Sequence, residues 1–249
     1  MVKPLRYARS PNHGPRTGGG IDMLVLHYTG MRSAQDALQR LCDKSSDVSA
    51  HWLVEEDGTL HALVPEDRRA WHAGVSSWRG RTDVNSRSIG IEIVNPGHEF
   101  GYRPFPDAQM DAVIELCQAI LARHPGIPAR NVVGHSDVAP LRKEDPGELF
   151  DWKRLAAAGI GLWPQPAEAV PTAQPGSIQA VQDVLAEIGY AAPRSGQLDE
   201  ATAKAIIAFQ RHYRPADLSG MPDAETWALM QALRDLVTAD RAGGPADRG

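Results

Sequence analysis

The stretch SIGIEIVN, residues 88–95, is an apolar run that contains one carboxylate, that of Glu92. A second apolar run, MLVLHY at residues 23–28, ends in polar residues, and a shorter run, VVGHSD at residues 132–137, also passes from apolar to polar. Runs of this length and composition are typical of β-strands. They predict strands of one sheet, with polar groups at or near the strand ends.

The segments between these runs predict helices and a hairpin. Residues 107–124, DAQMDAVIELCQAILARH, have apolar residues at helical spacing, and Asp107 is a predicted N-cap. Residues 35–43 predict another helix, and residues 49–64 predict a hairpin that turns at Asp57-Gly58. Strands that alternate with helices predict an α/β fold, with a mixed central sheet flanked by helices.

A proline-rich stretch divides the chain. Residues 163–176, WPQPAEAVPTAQPG, contain four prolines, which block helix formation and remove backbone donors. This stretch predicts an extended linker after a first domain at residues 5–162.

An internal repeat marks the second part, residues 177–236. GQLDEAT at 196–202 is echoed by GMPDAET at 220–226, and a helical pattern follows each copy. A third helical pattern, IQAVQDVLAEIGY at 178–190, precedes the two copies. Each glycine permits a turn and each aspartate can cap a helix, so this part predicts a small all-α domain of three helices. Residues 237–249 have little to bury and predict a disordered tail.

Composition limits the classes of partner. The chain has 249 residues, a formal net charge of -5 and 42% hydrophobic residues. Because phosphate binding needs clustered positive charge, nucleic acid is not an expected partner. The N-terminus has no apolar signal segment and no lipid-anchor cysteine, which predicts a cytoplasmic protein without a membrane anchor if Met1 is the natural start. Cys42 and Cys117 are expected to be buried or half-buried thiols, and the oligomeric state stays open.

Glu92 is the most anomalous residue. A carboxylate inside an apolar strand is costly unless it is paired, or unless it acts on a metal or a substrate. The alternative is that Glu92 faces solvent on an edge strand.

Two histidines and an aspartate suggest a metal centre. His27 ends one strand-like run, His135 ends another, and Asp145 lies in LRKEDPG. Catalytic Zn²⁺ sites use three protein ligands and keep a position for water. The residue before a proline favours an extended conformation, so Lys143 and Asp145 should face the same side. The alternatives are structural histidines and an exposed charge cluster in which Lys143 pairs with an acid.

Two long motifs resemble a known family. Residues 70–95, AWHAGVSSWRGRTDVNSRSIGIEIVN, and residues 134–152, GHSDVAPLRKEDPGELFDW, resemble the zinc N-acetylmuramoyl-L-alanine amidases, relatives of the peptidoglycan recognition proteins. The resemblance covers about residues 5–163. The second part is similar to a small helical peptidoglycan-binding module, on its Gly-x-x-Asp-x-x-Thr pattern and Phe209-Gln210.

The resemblance implies a five-residue site. Its members would be one Zn²⁺ per chain held by His27, His135 and Asp145, with Glu92 and Lys143 as the catalytic pair. It also implies the bond that is cut, between N-acetylmuramic acid (or its anhydro form) and the L-alanine of the stem peptide. The partner would be a muropeptide or peptidoglycan.

Three more residues are candidates for substrate binding. His72 in AWHAG and His51 in SAHWLV could line the substrate cleft, and Asn95 could reach the peptide. A structural hydrogen-bonding role is the alternative for His72. The remaining helical and surface histidines are assigned no role: His61, His98, His124 and His212.

Three functions fit these expectations. The first is a cytoplasmic amidase that processes cell-wall fragments for recycling. The second is a lytic, endolysin-like amidase that acts on intact peptidoglycan, which the wall-binding module favours. The third is a non-catalytic peptidoglycan receptor, which would be expected to lack a metal ligand or the base.

Overall fold

The computed structural model describes residues 5–165 and 176–243. Its first part contains eight strands, and the predicted runs and hairpin all form strands. In chain order the strands are β1 (Leu5–Tyr7), β2 (His13–Pro15), β3 (Met23–Tyr28), β4 (Trp52–Val54), β5 (Leu60–Ala62), β6 (Arg68–Ala70), β7 (Ser88–Ile93) and β8 (Val132–Gly134).

Six of these strands form the central sheet, in the order β1-β5-β4-β7-β3-β8. The hairpin partners β4 and β5 are antiparallel, whereas β3 is parallel to both β7 and β8. The sheet is therefore mixed, as the sequence predicts. Strand β7 lies inside the sheet between β4 and β3, which excludes the alternative that Glu92 faces solvent from an edge strand.

Helices flank this sheet. They are α1 (Ala34–Cys42), α2 (Val84–Arg87), α3 (Gly97–Phe100), α4 (Asp107–Arg123), α5 (His135–Val138) and α6 (Trp152–Ala157). The prediction that Asp107 caps α4 is wrong: Pro106 is the N-cap and Asp107 is the first helical residue. The Asp107 carboxylate instead accepts a hydrogen bond from Arg154 at 2.7 Å, and an acid in the first helical turn also complements the helix dipole. Cys42 is half-buried and Cys117 is buried, both as free thiols, as expected.

The two faces of the sheet have different neighbours, because alternate residues of a strand point to opposite sides. Leu24 and Leu26 belong to the hydrophobic cluster that contains helix α4. Met23 and Val25 belong to the other cluster, and His27 continues their series. We call this second side, with Ser88, Gly90 and Glu92 of β7, the site face.

The second part of the chain is all-α. It contains α7 (Ile178–Ile188), α8 (Glu200–Tyr213) and α9 (Ala224–Gly243). As predicted, Asp199 caps α8 by accepting from the Thr202 N–H at 2.8 Å, and Asp223 accepts from the Thr226 N–H at 2.9 Å. None of the helices that the structure describes is long and apolar enough to cross a membrane.

A buried glutamine holds each copy of the repeat. Gln182 accepts from the Gly196 N–H at 2.8 Å and donates to Thr202 Oγ1 at 2.7 Å. Gln210 does the same in the second copy, with Gly220 at 2.9 Å and Thr226 at 3.2 Å. Both glycines have φ near +70°, a region that L side chains rarely adopt, so each turn needs its glycine.

The prediction that the disordered tail begins at residue 237 is wrong for residues 237–243, which are helical. Helix α9 extends to Gly243, because Val237 is buried and Asp240 pairs with the Arg130 guanidinium at 2.7 Å. Residues 244–249 lie outside the described residues. Most of the predicted linker, residues 166–175, lies outside them too.

The second part packs against the first part on the same side of the sheet as the site face. One hydrophobic cluster contains Met23, Val25 and Val133 of the sheet together with residues of α7, α8 and α9 such as Leu185 and Phe209. All five of these side chains are at most 1% exposed. The two parts of the chain therefore share one core.

We expect the variant Gln210→Ala to lower the free energy of unfolding by about 1–3 kcal/mol, since it leaves the buried Gly220 N–H without an acceptor. Denaturation in urea measures this. The control is Gln179→Ala, because Gln179 is half-buried and, among the described residues, its side chain hydrogen-bonds only to Asp183 on its own helix. An equal loss in the two variants would contradict the role given to Gln210.

Candidate metal centre and active site

A cavity of about 920 Å³ opens on the site face, where β3, β7 and β8 end. Its walls include His27, Glu92, His135, Lys143 and Asp145, so the structure brings the five predicted site residues together. Parallel strands place their carboxyl ends at one edge of a sheet, and this explains the convergence of residues that are far apart in the chain.

Three ligand atoms meet at the base of this cavity. The Nδ1 atoms of His27 and His135 lie 3.0 Å apart, and each lies 3.0 Å from Oδ2 of Asp145. All three residues are buried. Three atoms at this spacing can all lie about 2.0–2.1 Å from one ion, the usual zinc distance for nitrogen and carboxylate ligands.

In each histidine the Nδ1 atom faces the cluster, and the hydrogen bond of the opposite nitrogen, Nε2, indicates which nitrogen carries the proton. His135 Nε2 lies 3.0 Å from the carbonyl oxygen of Ala73, which can only accept, so Nε2 carries the proton and Nδ1 has a free lone pair. For His27 the tautomer depends on His72, whose Nδ1 atom is hydrogen-bonded to His27 Nε2.

His72 connects His27 to Ser88. The Ser88 hydroxyl donates to the carbonyl oxygen of Val84 at 2.6 Å and is left to accept from His72 Nε2 at 3.1 Å. His72 Nδ1 is then an acceptor, and it lies 3.0 Å from His27 Nε2, which must donate. His27 therefore also presents an unprotonated Nδ1 to the cluster.

Gly90 makes room for this arrangement. A Cβ on Gly90 would lie 2.4 Å from the His72 ring, a distance at which His72 would have to move. The pattern Ser88-x-Gly90-x-Glu92 thus puts a hydroxyl, a gap and a carboxylate in a row on the site face.

The convergence of three acceptors indicates a cation. Burial and the neighbouring His135 lower the pKa of His27 to about 4, so this ring stays neutral at ordinary pH. Burial would raise the pKa of Asp145, but His135 and His27 outweigh it and hold that pKa below its usual range. Two imidazole nitrogens and a carboxylate oxygen are a donor set that suits a transition metal.

Glu92 lies beside this cluster, and one of its carboxylate oxygens has no partner in the part of the chain that the structure describes. In the sheet register it lies opposite His27, and its Oε2 atom is buried with no hydrogen bond among the described residues. Burial raises the pKa of Glu92 well above its ordinary value; the charge of Asp145 raises it further, and Lys143 partly lowers it. A carboxyl group in this state suits proton transfer.

Lys143 and Asp145 both line the cavity, as the alternation around Pro146 predicts. Glu144, between them, forms ion pairs with His98 at 3.5 Å and Arg211 at 3.7 Å. Within the described residues no ion pair involves Lys143, so the alternative of a lysine paired with an acid finds no support.

His51 and Asn95 lie outside the cavity wall. The His51 ring is bonded to Arg16, the Gly90 N–H and the Arg68 carbonyl oxygen. The Asn95 amide donates to the Arg103 carbonyl oxygen at 2.7 Å and accepts from Gly97. Among the described residues no contact supports the predicted substrate role of His51 or Asn95, which stays a prediction. His72 does line the cavity.

Residues of the second part also line the cavity, and the sequence analysis did not identify them. They are Lys204, Ile207, Arg211 and Leu218. No local pattern marks them, because their position depends on how α8 packs against the first part. Ser88 was missed as well, although the Ser88-x-Gly90-x-Glu92 alternation could have indicated it.

Comparison with known proteins agrees with this geometry. The family model described as N-acetylmuramoyl-L-alanine amidase matches residues 17–148, and the model described as putative peptidoglycan binding domain matches residues 174–230. Both matches agree with the resemblances drawn from the sequence.

Individual relatives cover most of the chain. The N-acetylmuramoyl-L-alanine amidase AmiD of Escherichia coli is 40% identical over 88% of this chain and 84% of that protein. The 1,6-anhydro-N-acetylmuramyl-L-alanine amidase AmpD of Haemophilus influenzae is 36% identical over 64% of this chain and 94% of that protein.

A solved structure extends the likeness to three dimensions. The complex of E. coli AmiD with the substrate anhydro-N-acetylmuramic acid-L-Ala-D-gamma-Glu-L-Lys has a TM-score of 0.78, at 40% identity, and covers 87% of this chain and 89% of that one. With both the sequence and the fold matched across the two parts, the chain belongs to the N-acetylmuramoyl-L-alanine amidase family.

Proposed function

We propose that this protein is a zinc-dependent amidase that hydrolyses the amide between N-acetylmuramic acid, in its anhydro form, and the L-alanine of a stem peptide. The observation that carries the proposal is the meeting of three possible ligand atoms, 3.0 Å from one another, beside Glu92, whose buried Oε2 has no hydrogen bond among the described residues. A receptor without catalysis would not need such a group there.

His27, His135 and Asp145 would hold the zinc. The two nitrogens and one carboxylate oxygen are a donor set that suits Zn²⁺, and three protein ligands are typical of its catalytic sites. When bound, zinc supplies a Lewis acid that activates water and polarises the scissile carbonyl.

Glu92 would act as the base and then as the acid. Its raised pKa lets it take a proton from the attacking water and return that proton to the leaving nitrogen of L-alanine. Because Oε2 has no protein partner among the described residues, it is available for this exchange.

Lys143 would stabilise negative charge on the carbonyl oxygen. Its position on the wall of the same cavity puts a cation near the reacting group, and loss of such a stabiliser typically costs about 10²–10³ in rate. His72 would act through His27, by holding the ring in the tautomer that leaves Nδ1 free, besides any contact that it makes with substrate.

Names of relatives support the choice of substrate. The H. influenzae relative is named as a 1,6-anhydro-N-acetylmuramyl-L-alanine amidase, and the E. coli structure holds an anhydro-muropeptide. We therefore favour cell-wall fragments that are being recycled. The cytoplasmic location expected from the sequence stays a prediction that cell fractionation would test.

A second candidate is lysis of intact peptidoglycan. The match of residues 174–230 to a putative peptidoglycan binding domain favours it, since a wall-binding module would concentrate the enzyme on its polymer.

The variant Glu92→Gln should bind zinc as well as the wild type but lose activity by at least about 10²-fold, since the amide keeps the shape and cannot accept the proton. Metal content and turnover of a defined muropeptide are the two measurements. Glu115→Gln, an exposed position on α4, is the control and should keep full activity. Wild-type turnover by Glu92→Gln would remove Glu92 from the reaction.

Removal of metal should abolish activity, and Zn²⁺ should restore it. Exhaustive dialysis against a chelator, followed by metal analysis and assay before and after addition of Zn²⁺, measures this. Full activity in protein shown to be free of metal would rule out the zinc mechanism, whereas loss of activity without recovery would point to unfolding, which circular dichroism detects.

A soluble anhydro-muropeptide should be cleaved with a higher kcat/KM than intact sacculi. Mass spectrometry of the products, from both substrates at matched enzyme concentration, gives the comparison and identifies the bond. A preference for sacculi would favour the lytic candidate. Tight binding of the muropeptide with no product from either substrate would revive the non-catalytic receptor.

A further inference from the structure

Asp137 is a buried carboxylate two residues after the proposed ligand His135. It is 1% exposed, and its Oδ2 atom accepts a hydrogen bond from the Gly134 N–H at 2.7 Å. This bond fixes the start of α5, the short helix on which His135 is the first residue.

Helix α5 holds both the His135 ligand and the Asp145 ligand. The Ser136 N–H donates to the carbonyl oxygen of Asp145 at 2.9 Å. Gly134 also packs on Pro146, because a Cβ at Gly134 would lie 2.8 Å from the Pro146 ring. A shift of α5 would therefore move two of the three ligands at once.

The other two partners of Asp137 come from the second part of the chain. The Tyr190 hydroxyl donates to Oδ1 at 2.7 Å, and His212 Nδ1 donates to Oδ2 at 2.7 Å. Tyr190 is 3% exposed and His212 is 4% exposed. His212, to which the sequence analysis assigned no role, lies in helix α8 and is buried where the second part meets the first.

Aromatic contacts fix both donors. The His212 ring stacks on Trp152 of the first part, with centroids 3.8 Å apart, and on Tyr213 at 3.9 Å. The Tyr190 ring meets the edge of Trp78 at 5.2 Å. Neither donor can turn away without disturbing packed rings.

We infer that the second part positions the metal ligands, by holding Asp137 and through it α5. The inference rests on the proposed function, since it takes His135 and Asp145 as ligands. A module that served only to bind cell wall could dock through its hydrophobic face alone. A buried polar network adds little to stability over well-packed apolar residues, but it does favour one geometry. Tyr190 and His212 are thus positioning residues.

Full-length variants test this. Tyr190→Phe and His212→Phe each keep the ring and remove one donor to Asp137. Tyr213→Phe is the matched control: the same kind of substitution on a buried ring of α8, whose hydroxyl has no hydrogen bond among the described residues.

Zinc affinity, by competition with a chelator well below each variant's Tm, is the first readout. We expect Tyr190→Phe and His212→Phe to bind zinc about 10-fold more weakly, near the low end for outer partners of a ligand, because the effect passes through α5. On a muropeptide, kcat should fall while KM stays unchanged. Tyr213→Phe should match the wild type in all of these.

Hydrogen exchange in the metal-free protein is the second readout. The Gly134 and Ser136 amides should exchange faster in the two test variants, and His212→Asn, whose amide keeps a donor near the Nδ1 position, should restore part of the protection and of the zinc affinity. If His212→Phe does not fold, the zinc affinity and amide exchange of Tyr190→Phe alone test the inference.

The inference is overturned if both variants lower only the Tm and keep wild-type zinc affinity and amide exchange. If the wild-type protein itself binds no zinc, the proposed function fails instead. Amide exchange at Gly134 and Ser136 then still reports whether the second part holds α5.

Discussion

The site depends on one constraint, that two imidazole nitrogens and a carboxylate oxygen are held 3.0 Å from one another in a buried position. Three acceptors repel each other when they are buried, so the surrounding chain must hold them in place. The Ala73 carbonyl does this for His135, and the His72–Ser88 pair does it for His27. A cation bound between the three atoms would replace their mutual repulsion with attraction to the metal.

The requirement explains features of the sheet that packing alone does not. An apolar strand would be expected to present branched side chains on both faces. Strand β7 instead presents Ser88, Gly90 and Glu92 to the site face and keeps Ile89, Ile91 and Ile93 for the opposite face. Stability is supplied by one face of the strand and chemistry by the other.

Much of this could be predicted from the sequence, because the signals are local. Apolar runs mark the strands, and polar residues at their ends, such as His27, mark the site. The predictions for the cap of α4 and for the end of α9 were wrong because both depend on tertiary contacts. Asp107 binds Arg154, and Asp240 of α9 binds Arg130. His212 was missed for the same reason: its partner Asp137 lies 75 positions away in the chain, and no local pattern links the two.

The shared hydrophobic core has a consequence for how such proteins can be rearranged. The proline-rich stretch between the two parts suggests that recombination could replace the second part with another wall-binding domain. Yet removing the second part would expose apolar side chains of the first part that belong to this core, such as Trp78, which packs against Tyr190. A different wall-binding domain joined at this boundary would need an apolar surface that fits the first part. Substitutions in the contact surface of one part are therefore expected to require matching substitutions in the other.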